Sequence, residues 1–174
     1  MSTSHADDAS ADTGDSPMPR QTPEQMRAWL ALLETANRVQ HATDREIRAT
    51  VGLTFAQLEI LGRIAEAGSE GMRMTDIADT LVVSRSGLTY QVGQLEQRGL
   101  VTRAPSSNDE RSVIARVTAS GLECVRRAAP HYVDIVATMF LDHLSPENLT
   151  TLADILDDVR AHLRTMPNRS TLGR

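Results

Sequence analysis

A chain of 174 residues and 19.0 kDa has room for one domain with an appended helical part, and it can bury a core. Hydrophobic residues make up 40% of it and aromatic residues only 3%, so the core must be aliphatic, which favours packed helices. The single cysteine excludes an internal disulfide, and no apolar run is long enough to span a bilayer. The acidic, polar N-terminus lacks the basic start and apolar centre of a signal peptide. We therefore expect a soluble, cytoplasmic protein.

The net charge of −5 argues at first against a nucleic-acid partner, because phosphate contacts contribute much of the binding energy. However, the first residues of the chain are strongly acidic, while the segment from Glu70 to Arg116 has as many arginines as acids. The chain contains no lysine, so its phosphate contacts would come from arginine, whose planar fork suits phosphate and guanine. Binding would then depend on a few well-placed arginines.

Residues 1–21 are rich in Ser, Asp, Thr, Ala and Pro, and they predict a disordered acidic tail. The capping sequence from Thr22 to Gln25 predicts the start of a long helix that ends near Thr50. Its mostly apolar stripe consists of Trp29, Leu32, Ala36, Val39, Thr43 and Ile47. A separate polar stripe either faces solvent or borders a wet internal cleft, and it consists of Glu34, Arg38, His41, Arg45 and Arg48.

A second capping box, from Thr54 to Gln57, predicts a helix through about Ala67, followed by a loop from Gly68 to Gly71. The buried residues of this helix should be Leu58, Ile60, Leu61 and Ile64. A short helix then runs from Thr75 to Leu81. After a tight turn, the hydroxyl of Ser84 can cap the next helix.

The helix that starts at Ser84 has the spacing of a DNA-recognition helix. Leu88, Val92 and Leu95 would seat it on the core and leave the small or polar residues Ser86, Tyr90, Gly93 and Gln97 facing outward. Gly99 ends this helix. Two β-prone runs, 100–103 and 112–117, flank a polar turn at 106–110, so residues 51–117 predict a winged helix-turn-helix.

Two further helices complete the predicted fold. Thr118 caps one that runs toward Leu144 with a bend at Pro130, and Ser145 caps another. The last helix has a broad apolar side, consisting of Leu149, Leu152, Ile155, Leu156, Val159 and Leu163. We expect residues 166–174 to form a frayed end.

The fold class is therefore mainly α with a small β-hairpin wing. Residues 22–50 and 118–165 form a helical region whose long apolar faces lie outside the winged domain. Pairing across a two-fold axis would bury these faces and place two recognition helices about 34 Å apart, one turn of DNA. The alternative is a monomeric helical bundle.

A winged helix-turn-helix suits duplex DNA because the major groove admits one α-helix whose side chains reach base edges. The candidate DNA contacts are Arg73, Arg85, Ser86, Thr89, Tyr90, Gln94, Arg103 and Arg111. A winged helix can also dock another protein, and that is the alternative function.

The sequence offers little support for catalysis, since it has no Gly-rich phosphate loop, no nucleophile elbow and no paired-His metalloprotease motif. We expect no enzyme activity, no cofactor and no bound metal, although a metal site between helices or a redox role for Cys124 is an alternative. An aliphatic neighbourhood would keep Cys124 as a neutral, inert thiol.

Four motifs together resemble the MarR family of winged-helix regulators. Residues 83–89 resemble the opening of its recognition helix, 94–103 the exit into the wing, 108–112 the Asp-x-Arg wing tip, and 117–121 the start of the next helix. Many relatives have a basic residue where this chain has Tyr90 and an acidic one at Gly93, so an operator sequence cannot be transferred.

The resemblance implies an obligate dimer on an inverted-repeat DNA operator, usually acting as a repressor. It also implies release by a small phenolic or carboxylate ligand, bound between the dimerisation and DNA-binding parts. The polar stripe of the first helix is the only local support for such a ligand. It makes Arg38, His41 and Arg45 the candidate ligand-binding residues.

Overall fold

The computed structural model describes residues 21–106 and 111–166. The tail predicted for residues 1–21 and the frayed end predicted for 166–174 lie almost wholly outside the described residues, as does the wing tip 108–110. Within them the chain forms α1 (Pro23–Val51), α2 (Phe55–Glu66), α3 (Met74–Leu81), α4 (Arg85–Gln97), α5 (Ala119–Met139) and α6 (Pro146–Thr165), with strands β1 (Met72–Arg73), β2 (Val101–Pro105) and β3 (Val113–Val117). The expected mainly helical fold with a small β wing is confirmed.

The predicted helix starts are confirmed by hydrogen bonds between a capping hydroxyl and the amide three residues on. Ser84 Oγ accepts from Gly87 N at 3.1 Å, and Thr118 Oγ1 accepts from Gly121 N at 3.0 Å. At α2 the capping box is reciprocal, because Thr54 N also donates to Gln57 Oε1 at 3.0 Å. These local bonds satisfy amides that the first turn of a helix leaves unpaired.

The core lies in the winged part of the chain. The residues expected to be buried in α2 and α4 are buried there, and Ile77 of α3 and Val101 of β2 join them. Thr43 and Ile47 in the last turns of α1 are also buried, whereas Trp29 near its start is 54% exposed. The end of the predicted α1 stripe therefore packs on this core.

The wing is a three-stranded antiparallel sheet in the described residues, with the order β1-β3-β2. The sequence predicted a two-stranded hairpin and missed β1, whose Met72 and Arg73 pair with Ala115 and Ile114. The missed strand has only two residues, and its partner lies some 40 positions away. No local pattern can therefore reveal it. The hairpin strands themselves are 101–105 and 113–117, close to the predicted runs.

One predicted boundary was wrong. The helix expected to run toward Leu144 ends at Met139, and a 3-10 turn at Leu141–His143 follows it before Ser145 caps α6. The loop predicted after α2 contains a 3-10 turn at Gly68–Glu70. Both turns are short 3-10 segments next to helix ends, where such segments are common.

The chain divides into two compact units between Thr35 and Ala36, within α1. In the first unit, the described part of α1 exposes Met26, Trp29, Leu30, Leu32 and Leu33. In the second unit, α6 exposes Leu149, Ile155, Leu156, Val159 and Leu163. Among the described residues, each unit therefore has a helix with exposed apolar side chains.

Candidate nucleic-acid interface

Helix α4 is seated by three buried side chains, Leu88, Val92 and Leu95. Because they lie on one side, the opposite side of the helix faces solvent. Ser86 near the amino end of α4 is exposed, and so is Tyr90, whose side chain is 66% exposed. The outward face predicted from the sequence is therefore free to meet base edges in a groove.

The other candidate DNA contacts on α4 differ in their exposure and in their hydrogen bonds. Arg85 is exposed in the first turn, and Gln94 is half-buried further along the helix. Thr89 is exposed, but its hydroxyl donates to the carbonyl of Arg85 at 2.8 Å. The donor of the Thr89 hydroxyl is thus engaged within the helix, while its oxygen can still accept a hydrogen bond and its methyl group can meet a thymine methyl.

The turn between α3 and α4 contributes a residue that sequence analysis missed. Val82 has a φ of 54°, which places a β-branched residue in the left-handed region, and it is 89% exposed. Its backbone ends α3, since the amides of Val82 and Val83 both donate to Ala78 O. An apolar side chain thus projects into solvent beside the amino end of α4. Only the backbone angle, which the sequence does not display, could have identified it.

The wing arginine Arg103 has a partner within the chain. Its Nε and Nη2 donate to Glu96 Oε2 at 2.9 and 2.6 Å, and its amide donates to Glu96 Oε1 at 3.0 Å. These bonds hold the pKa of Glu96 below its usual range. The pair ties the first strand of the wing to the end of α4, and this already engages one edge of the guanidinium that was expected to contact DNA.

The two remaining arginines lie at the edges of the wing sheet. Arg73 is exposed on β1, directly before α3. Arg111 is exposed next to Ser112, whose carbonyl accepts from Ser106 N at 2.8 Å and closes the hairpin. The structure thus places Arg73 directly before the helix-turn-helix and Arg111 in the hairpin turn of the wing.

Two cavities border α5. One, of about 270 Å³, lies between α2 and α5, where Phe55 and Tyr132 stack at 5.6 Å between ring centroids. Burial raises the pKa of Glu59 on its wall, against the opposing effect of Arg63. The candidate ligand residues of α1, Arg38, His41 and Arg45, are exposed and line neither cavity.

The second cavity, of about 520 Å³, lies beside the start of α5 and contains Cys124. Burial raises the pKa of this thiol more than the nearby Arg98 and Arg127 lower it, so the neutral thiol is favoured, as expected from the sequence. Among residues 21–106 and 111–166 no cluster of His, Cys, Asp and Glu could hold a metal ion. No helix in the described part of the chain is long and apolar enough to cross a bilayer.

Comparison with known proteins identifies similar chains. A family model described as MarR family matches residues 51–112. The transcriptional activatory protein BadR of Rhodopseudomonas palustris is 34% identical over 96 residues, which cover 55% of this chain. The match spans about half of that relative, 54% of its length.

Two solved structures from Streptomyces coelicolor match over nearly their whole length. AbsC, a MarR family transcriptional regulator, is 35% identical with a TM-score of 0.78, and the match covers 86% of this chain and 100% of AbsC. Sco3205, another MarR family regulator, was solved in complex with DNA. It is 31% identical with a TM-score of 0.80, and the match covers 88% of this chain and 95% of Sco3205.

Proposed function

Because this chain belongs to the MarR family of transcriptional regulators, we propose that it binds an inverted-repeat DNA operator as a homodimer and represses transcription there. In this proposal residues 51–117 bind the DNA, while 22–50 and 118–165 form the dimer. A small phenolic or carboxylate ligand releases the dimer from its operator.

The observation that carries the proposal is the outward face of α4. A helix held by Leu88, Val92 and Leu95, with Ser86 and Tyr90 exposed on the other side, can enter a major groove without rearranging its own packing. The DNA complex of Sco3205 supports this use of the fold, because that relative is 31% identical. Arg73 and Arg111 would meet the backbone on either side of the groove, as phosphate contacts that set register.

Substitutions in α4 and in the wing should weaken DNA binding in different ways. Tyr90→Ala should cost about 1–3 kcal/mol on the cognate operator and change which bases are preferred. Arg111→Ala should weaken binding to all DNA and lower the salt slope by about two units per dimer, because each protomer loses one phosphate contact. If Arg111 enters a narrow minor groove instead, its loss should discriminate A·T-rich from G·C-rich flanks.

Titrations of both variants against the operator, a flank-swapped operator and random DNA at several salt concentrations measure these effects. The operator is first located by gel retardation with fragments of the protein's own promoter. Failure of the wild type to retard any fragment would favour the alternative, a winged helix that docks a protein. If Arg111→Ala binds all three DNAs as the wild type does, the wing does not contact DNA.

The proposed dimer is supported by the apolar residues that α1 and α6 expose, among them Trp29 at 54% and Leu163 at 59%. Large apolar surface on a lone protomer is unusual and marks an interaction site. Light scattering at micromolar concentration in physiological salt should give about twice the chain mass of 19.0 kDa. A mass of one chain under these conditions would contradict the dimer.

The ligand proposal depends on resemblance, and on Arg38, His41 and Arg45 as exposed groups that could pair with an anion. If substitutions at all three leave release from DNA by every active ligand unchanged, the effector binds elsewhere. A reporter fused to the promoter tests the direction of control. Repression predicts higher expression when the protein is deleted, and lower expression would assign an activator.

A further inference from the structure

Two arginines donate hydrogen bonds to the carboxyl end of α1. Arg98, the residue after α4, donates from Nη1 to Gly52 O at 2.7 Å and from Nη2 to Val51 O at 3.3 Å. Arg127 of α5 donates from Nη2 to Thr50 O at 2.9 Å. The last carbonyls of a helix have no partners within it, so the two guanidinium groups satisfy three successive acceptors.

Charge and backbone geometry both favour this contact. The carboxyl end of a helix carries partial negative charge, which a cation stabilises. Gly52 ends the helix with a φ of 69°, and a Cβ atom there would lie 3.4 Å from Nη2 of Arg98. Among the described residues, no carboxylate pairs with Arg98 or Arg127, and the nearby Glu123 pairs with Arg126 at 2.8 Å instead. The two arginines therefore bind the carboxyl end of α1.

The contact of Arg98 is directional and joins the end of α4 to α1, whereas the other directional contact there, between Glu96 and Arg103, joins α4 to the wing. The buried Leu88, Val92 and Leu95 hold α4 on the core, but apolar burial has no preferred direction. Two N–H···O bonds from one planar group to two successive carbonyls constrain both distance and angle. These bonds thus fix the position of the end of α4 relative to the end of α1, which lies 46 positions earlier in the sequence.

We propose that Arg98 is a positioning residue that sets the separation of the two recognition helices in the dimer, without contacting DNA itself. The inference rests on the proposed function, in which α1 takes part in the dimer. The last turn of α1 then sets the direction of α4, and the two-fold axis doubles any error in that direction. Arg98 therefore controls which half-site spacing the dimer accepts.

Operator spacing is a readout that a merely structural role would not move. One DNA turn contains 10–10.5 base pairs, so each added pair moves the half-sites about 3.4 Å apart and rotates them by about 35°. A dimer with fixed recognition helices should reject such changes. A dimer in which Arg98 no longer holds α4 at a fixed position relative to α1 should tolerate these changes.

The experiment uses the full chain and the operator from its own promoter, with half-sites moved by −1, 0 and +1 base pair, and random DNA. Arg98→Met removes the donors while keeping an apolar stem, and Arg98→Lys keeps the charge. The matched control is Arg126→Met, which removes another exposed charge, from α5, whose partner is Glu123. Thermal unfolding checks that each variant is folded.

Arg98→Met should bind the cognate operator about 10-fold more weakly, from the loss of two charge-assisted hydrogen bonds. Its preference for the cognate spacing should fall to within about threefold, while binding to random DNA and the salt slope stay unchanged. Arg98→Lys should be intermediate, and Arg126→Met should match the wild type. If Arg98→Met does not fold, the spacing preference of Arg98→Lys decides the test.

Four results would overturn the inference. A wild-type spacing preference in both Arg98 variants means that the hydrogen bonds do not set the separation. A uniform loss on every DNA with a lower salt slope means that Arg98 contacts phosphate. An equal loss on all three spacings means that it only stabilises the fold. A wild type that binds no promoter fragment overturns the proposed function as well, so the two failures are distinguishable.

Discussion

Adding one methyl group at Gly121 tests how closely the start of α5 packs on the wing. A Cβ atom at this position would lie 2.2 Å from Leu100 O and 2.7 Å from Val117 Cγ2. Both distances are far below the separation of about 3.5 Å at which non-bonded atoms attract. The first turn of α5 must therefore move by about 1 Å, and Leu100 O already accepts from Thr118 N at 3.0 Å.

The expected cost follows from these contacts. Overpacking of this kind costs about 1–3 kcal/mol, and stretching the hydrogen bond to Leu100 adds about 1 kcal/mol. Replacing glycine by alanine inside a helix returns about 1 kcal/mol. Gly121→Ala should therefore lower the free energy of unfolding by about 1–3 kcal/mol.

Gly62 provides the matched control, because it also lies inside a helix and a Cβ there would meet no atom within 4 Å. Gly62→Ala should raise the free energy of unfolding by about 0.4–1 kcal/mol, because alanine lowers the conformational entropy of the unfolded chain. Urea titrations at one fixed protein concentration measure both variants, since dimerisation contributes to stability. Equal effects of the two substitutions would refute the packing of α5 on Leu100.

Three further predictions concern the recognition helix, the wing and the cysteine. Gly93→Ala in α4 should raise the free energy of unfolding by about 1 kcal/mol, because a Cβ there meets no protein atom within 4 Å. If the same variant loses operator affinity in gel titrations, the glycine is needed for close approach of the α4 backbone to DNA. Since the Arg103 hydrogen bonds lower the pKa of Glu96, the pair should stabilise the fold above pH 4.5 and lose its effect as the pH falls through the lower folded pKa. Glu96→Gln should remove that part of the pH dependence, worth less than about 1 kcal/mol for a partly exposed pair, in unfolding titrations from pH 7 to 3. Because burial raises the pKa of Cys124, iodoacetamide should modify it more slowly at pH 8 in the folded than in the unfolded chain, and equal rates would contradict this.

The sequence determined the features that depend on short-range hydrogen bonds and periodicity. The hydroxyls of Ser84 and Thr118 each accept a hydrogen bond from the amide three residues further along the chain. The starts of α4 and α5 were therefore predictable from residue type and spacing alone. The buried Leu88, Val92 and Leu95 followed from helical spacing, which also defined the outward face with Tyr90. These arguments were enough for the winged helix-turn-helix and for the exposed positions of Ser86 and Tyr90.

Only the tertiary structure decided how distant parts of the chain meet. The two-residue strand β1, the hydrogen bonds of Arg103 to Glu96 and those of Arg98 to Val51 and Gly52 join residues from different elements. Such contacts depend on strand register and on the angle at which helices pack, and neither leaves a periodic trace in the residues that form them. For the same reason, the sequence showed Arg103 and Arg98 as arginines near a recognition helix, while the fold decided that one binds a carboxylate and the other a helix end.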